Sequence, residues 1–149
     1  MQQPSAPRYD ERLTVPRTWW ILPALAGFSG ALVATPIGTL AMLGGLVVAA
    51  ALTAVGISSY GSARIRVVAG SLVAGEARIP LTALGEAEVL EPEEARAWRS
   101  WKSDPRAFML LRSYVPTALR VEVTDPADPT PYLYLSTRDP KALAAALTA

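Results

Sequence analysis

The sequence predicts two unlike parts: a hairpin of two transmembrane helices, followed by a small α+β domain that ends in a helix. Three observations carry this. Residues 18–63 contain no charged side chain in 46 positions. From Arg64 onward, short runs alternate polar and apolar residues, the period of a half-buried strand. The chain then closes on an aspartate, a proline and leucines at helical spacing.

Residues 1–17 read as a polar tail, with Arg8, Arg12 and Arg17 set against Asp10 and Glu11. The apolar block, residues 18–60, is too long for one crossing. A helix rises about 1.5 Å per residue and a bilayer core is about 30 Å thick. Two spans, near 19–34 and 39–57, fit with a tight reversal at "TPIG" (35–38). There Pro36 disfavours helix at Thr35 and Gly38 permits the turn. Trp19, Trp20 and Tyr60 fall at one membrane face, where amphipathic rings prefer to sit. Arg17 and Arg64 flank the two outer ends, and the turn carries no charge. The positive-inside rule then predicts a multi-pass protein of the cell membrane with both termini cytoplasmic. A cleaved signal peptide fits less well, because a second apolar run follows the first without a polar break.

Small residues recur every four positions. Ala26, Gly30 and Ala34 line one face of the first span; Ala41, Gly45, Ala49 and Thr53 line one face of the second. Such faces let helices approach closely in lipid. Packing within the hairpin is the expectation, and a dimer interface is the alternative. Neither span holds an ionisable residue, which argues against an ion pathway through this chain alone.

In the polar domain, residues 64–149, strands are expected at 64–68, 72–74, 77–81, 86–90, 107–112, 118–124 and 131–137. A short helix should begin at Pro92 within 91–105, and a last helix should span about 139–148, capped by Asp139. In 131–137, Tyr132 and Tyr134 point one way, Leu133 and Leu135 the other. About seven strands followed by one helix is the order of a pleckstrin-homology-like barrel, an analogy of element order.

Composition excludes several chemistries. With no Cys and no His, disulfides, thiol nucleophiles, Cys/His zinc sites and Ser-His-Asp triads are ruled out. The segment from Arg64 carries eleven basic and eleven acidic residues, so it lacks the basic footprint of a nucleic-acid binder. No glycine-rich phosphate or dinucleotide loop is present, and no cofactor or metal is expected.

Three sets of residues remain as candidate sites. Asp125 and Asp128 in "DPADPTP" (125–131) could pair for a hard cation or acid–base work. The competing reading is a proline-set turn whose aspartates bond nearby backbone. Arg106, Arg112, Arg120 and Arg138 could converge on an anionic lipid headgroup; the competing reading is pairing with cross-strand acids such as Glu122. Trp98 and Trp101 would share a helical face and seal the core, with the membrane interface or a partner as alternatives.

Three stretches are familiar together: "RYDERLTVPRTWW" (8–20), "DPRAF" (104–108) and "LRVEVTDPADPTPYLYLSTRDPKALAAAL" (119–147). Through them the chain resembles the actinobacterial membrane-protein family called domain of unknown function 3093. The resemblance implies two membrane spans followed by a small cytoplasmic domain, and it carries no catalytic or binding residue with it. The expectation is a non-enzymatic, membrane-anchored interaction module. Its expected partners are the lipid bilayer and a further membrane or cytoplasmic protein; anionic-lipid binding is the alternative.

Overall fold

The computed structural model describes residues 6–148; the first five residues of the expected tail and Ala149 of the expected domain lie outside the described residues. The chain divides into two compact units. One is Thr14–Ala63; the other joins the residues up to Leu13 with those from Arg64 onward.

The first unit is the apolar hairpin. A 3-10 turn, Arg17–Trp20, leads into α1 (Ile21–Ala34), and a second, Thr35–Ile37, leads to α2 (Thr39–Tyr60). Gly38 makes the reversal at φ 137°, a conformation that glycine adopts without strain. Helices stand where the two spans are expected, with α2 running on to Tyr60. Both are long and apolar enough to cross a membrane, and only 11% and 6% of their apolar windows are buried. Large side chains such as Val33, Ile37 and Leu40 face outward.

The two helices meet along the small residues. A Cβ added at Gly45 would stand 2.5 Å from the Gly30 carbonyl oxygen, and one at Gly30 would stand 2.9 Å from the Ala49 Cβ. Only glycine lets the backbones come this close. Gly27, next to the expected stripe, joins it against Leu46 and Ala50. Ala26, Ala34 and Ala41 are half-buried, as a shared face requires. Two hydroxyls inside the apolar stretch are satisfied by their own helix: Ser29 donates to the Leu25 carbonyl at 2.9 Å and Thr53 to the Ala49 carbonyl at 2.8 Å. At the open end Trp19 stacks on Tyr60, with ring centres 6.1 Å apart. Trp20 is exposed.

The second unit contains two four-stranded sheets. Strands β1 (Tyr9–Arg12), β2 (Arg64–Val68), β3 (Ser71–Ala74) and β4 (Ala77–Pro80) pair in that order, all antiparallel. The turn after β2 is made by Ala69 and Gly70, both at positive φ (50° and 71°), as a tight hairpin needs. The second sheet has the order β5-β7-β8-β6. It comprises β5 (Leu84–Leu90), β6 (Phe108–Leu110), β7 (Ala118–Val123) and β8 (Tyr132–Ser136), with β6 parallel to β8. Helix α3 (Pro92–Trp98) lies between β5 and β6, and α4 (Pro140–Thr148) follows β8. Asp139 Oδ1 accepts the Ala142 amide at 3.0 Å and so caps α4.

Two expectations need correction. The strands do not close into a pleckstrin-homology-like barrel. Pro80 lacks a ladder donor, and the 3-10 turn Leu81–Ala83 after it passes the chain from the first sheet to the second. Nor is the N-terminal segment a separate tail, because Tyr9–Arg12 is the edge strand of the first sheet. Four residues, three of them charged, give periodicity too little to work on.

Strand β8 is buried along its whole length. On one face, Leu133 and Leu135 stand opposite Val121 and Leu119 of β7. On the other, Tyr134 donates to the Ala95 carbonyl of α3 at 3.2 Å, and the Tyr132 ring meets Trp98 edge-on at 5.3 Å. Helix α4 packs on β5 and β7, burying Leu143 and Ala146.

Candidate functional site

The "DPADPTP" segment joins β7 to β8. Asp125 Oδ1 accepts the Ala127 amide and Asp128 Oδ1 accepts the Thr130 amide, each at 2.9 Å. The Asp128 amide donates to the Asp125 carbonyl at 3.1 Å, and the Val123 amide to the Pro131 carbonyl at 3.2 Å. These are two successive aspartate turns braced by prolines. The Thr130 backbone and side-chain donors hold the Asp128 carboxyl below the ordinary carboxylate range. The turn borders a shallow hollow lined by Pro80, Thr82 and Thr124.

The four arginines have separate engagements. Arg106 pairs with Asp104, Nη2 to Oδ2 at 3.0 Å, and this holds the Asp104 carboxyl below its ordinary range. Arg120 gives Nε and Nη2 to Glu88 Oε2, at 3.0 and 2.7 Å. Its guanidinium also lies 4.5 Å from the centre of the Trp98 ring. Pairing of a strand arginine with a cross-strand acid is realised here, with Glu88 in the place expected for Glu122. Arg112 donates from Nη1 to the Leu111 carbonyl at 2.8 Å and from its amide to Ser136 Oγ at 3.0 Å. The Arg138 amide donates to Glu11 Oε1 at 2.9 Å.

The tryptophans separate. Helix α3 ends at Trp98, so Trp101 falls in the turn beyond it rather than on the same helical face. Trp98 covers the cluster of Leu90, Ala95, Ala118, Tyr132 and Tyr134. Trp101 is 76% exposed. Of the two tryptophans, Trp98 is the one that seals the core, beside Ala107, Met109 and Leu111.

Sequence reasoning missed a polar cluster that joins distant segments. Glu11 on β1 accepts from the Tyr9 hydroxyl at 2.7 Å and the Thr137 hydroxyl at 2.5 Å, both on Oε2, while Oε1 takes the Arg138 amide. The Tyr9 and Thr137 oxygens lie 3.0 Å apart. Each hydroxyl has one proton to give, and the carboxylate, which can only accept, lies within reach of both. Thr137 is fully buried, and its amide and carbonyl bond Thr117. Burial pushes the Tyr9 hydroxyl well above its ordinary range; the contact with Thr137 opposes this and Glu11 adds to it. The cluster fastens the N-terminal strand to the junction of β8 and α4. Its signal was present in two quoted stretches, "RYDER" and "STRDP", which lie in contact although more than 120 positions separate them.

A family model described as "Protein of unknown function (DUF3093)" matches residues 8–147. The chain belongs to the DUF3093 family. The match takes in both units and runs from just before β1 to within α4. Both sides of the Tyr9–Glu11–Thr137 cluster, the "DPADPTP" turn and the Gly30–Gly45 approach therefore lie inside it. No curated protein and no solved structure matches the chain.

Proposed function

We propose that this DUF3093 protein is a two-span membrane protein that holds its two-sheet unit at the cytoplasmic face as a non-enzymatic interaction module. The pairing of β1 with β2 carries this reading. These strands directly precede and follow the apolar hairpin, and Arg12 stands opposite Arg64 in their register. Both ends of the hairpin must then lie on one side of any membrane it enters. Outward-facing leucines, valines and isoleucines along α1 and α2 favour lipid as the solvent of that hairpin. Arg17 and Arg64 at its open end favour the cytoplasmic side. An interaction role is preferred over acid–base chemistry because Asp125 and Asp128 hold turn amides.

The test is topology. The full chain should stay in the membrane fraction after carbonate washing, and reporters fused to either terminus should both register cytoplasmic exposure. Release by carbonate, or opposite locations for the two reporters, would refute the reading.

A further inference from the structure

The first sheet has two different faces. Ile65, Val67, Leu72 and Ala74 are buried on the inner one. Register fixes the outer one, because residues directly opposite in a ladder share a face. Asp10 faces Arg66, Arg66 faces Val73, and Val73 faces Arg78, one row across all four strands. Arg12 faces Arg64 in the row at the hairpin end. Strands lie about 4.8 Å apart, so the first row spans about 14 Å. Arg12, Arg64 and Arg78 are exposed and Arg66 half-exposed.

This face carries four arginines and one aspartate, with Glu76 in the adjoining turn. Asp10 is bridged to Arg64, with Nε 2.6 Å from Oδ1. Among the described residues, no ion pair engages the guanidinium of Arg12, Arg66 or Arg78. The balanced total charge of the segment conceals this concentration. The face is also tethered. Arg64 follows the last helical residue, Tyr60, by four positions, a reach of at most about 14 Å in a fully extended chain. On the two-span reading, so short a lead from the second helix keeps this cationic sheet within reach of a phosphate-rich headgroup layer.

We infer that the outer face of the first sheet, through Arg12, Arg66 and Arg78, docks on the headgroup layer of an anionic bilayer. The inference rests on the two-span reading above and adds a ligand to it. Guanidinium groups suit phosphate because their fork donates two bonds at once. Each basic residue near an anionic surface contributes about a fivefold preference.

The sequence has no cysteine, so one can be placed at will. Val73→Cys puts a thiol in the centre of the arginine row, and Ala127→Cys puts a control thiol in the exposed β7–β8 turn. The full chain is reconstituted in nanodiscs of phosphatidylcholine alone or with one-third phosphatidylglycerol, and labelled with a water-soluble maleimide. Labelling of Val73→Cys should slow at least about fivefold in the anionic discs, while the Ala127→Cys rate should not change. High salt, or Arg66→Glu with Arg78→Glu, should restore the fast rate. Equal rates in the two lipids would overturn the inference, as would protection already complete in neutral discs, which would indicate a second copy. Protection in neutral discs only on adding polyuridylate would overturn it in favour of nucleic acid. Failure here with the chain still resistant to carbonate would sink the docking surface alone; loss of carbonate resistance would sink the two-span reading beneath it.

Discussion

Glu11 collects two hydroxyl protons and one amide. Removing its charge weakens all three bonds together, since bonds to an ionised acceptor contribute about 1.5–3 kcal/mol each. Glu11→Gln should therefore lower stability by about 2 kcal/mol, read as a shift in the unfolding midpoint of the purified chain. Thr137→Val, at a fully buried position, leaves the half-buried Glu11 carboxylate short of a donor and should do similar damage, with Thr137→Ser restoring most of it. Asp128 makes a different prediction. Its carboxyl is depressed in the folded chain, so its contribution is present above the unfolded value near 3.9 and is lost as pH falls through the lower folded value. Asp128→Asn keeps an acceptor for the Thr130 amide. It should leave neutral-pH stability nearly unchanged while making the loss below about pH 4 shallower, as acid titration by circular dichroism would record.

At the scale of elements, the helix pair offers a matched comparison. Gly30 and Gly45 are in close backbone approach, whereas a Cβ at Gly44 would meet nothing within 4 Å. Gly30→Ala should push the helices apart at a cost of about 1–3 kcal/mol, the usual range for overpacking. Gly44→Ala should be neutral or stabilising by up to about 1 kcal/mol through helix propensity. Thermal unfolding in one detergent would separate the two variants; equal effects would mean the crossing is not where the glycines put it. Most of this level was legible in the sequence. The two apolar helices, their turn at Gly38 and the Gly30 and Gly45 faces follow from charge, proline and spacing. Strands β2 to β8 follow from alternation or from short apolar runs. The limits of α3 did not, because Ser100 and Lys102 are acceptable helix residues and only the bend after Trp98 places Trp101 outside.

For the whole molecule, what stayed illegible was non-local. Nothing in "YDER" announces that its partner is "RIRV", more than fifty positions on and across an apolar block. Nor does alternation reveal that β6 runs parallel to β8 and leaves two sheets in place of a barrel. The arginine face was missed for the same reason, since Asp10 and Arg12, two of the six residues in its two rows, come from the N-terminal strand. This dependence is testable without a membrane. Residues 64–149 alone lack β1, expose the edge of β2 and strip Thr137 of Glu11, and should associate on gel filtration. Joining residues 6–13 to 64–148 through a short glycine-rich turn should give a monomer, because Arg12 and Arg64 are already neighbours. A monomeric 64–149 would show β1 to be dispensable.

Strands β1 and β2 form an ordinary antiparallel pair whose connecting loop is the whole apolar hairpin. On the two-span reading this gives biosynthesis a fixed order. β1 leaves the ribosome first and has no partner until both helices have been made. If only one of them inserts, β1 and β2 are stranded on opposite sides of the bilayer and the first sheet cannot assemble. A completed sheet is then a record, kept in the cytoplasm, that both crossings succeeded, and a chain inserted halfway would present unpaired strand edges to the cell's proteases.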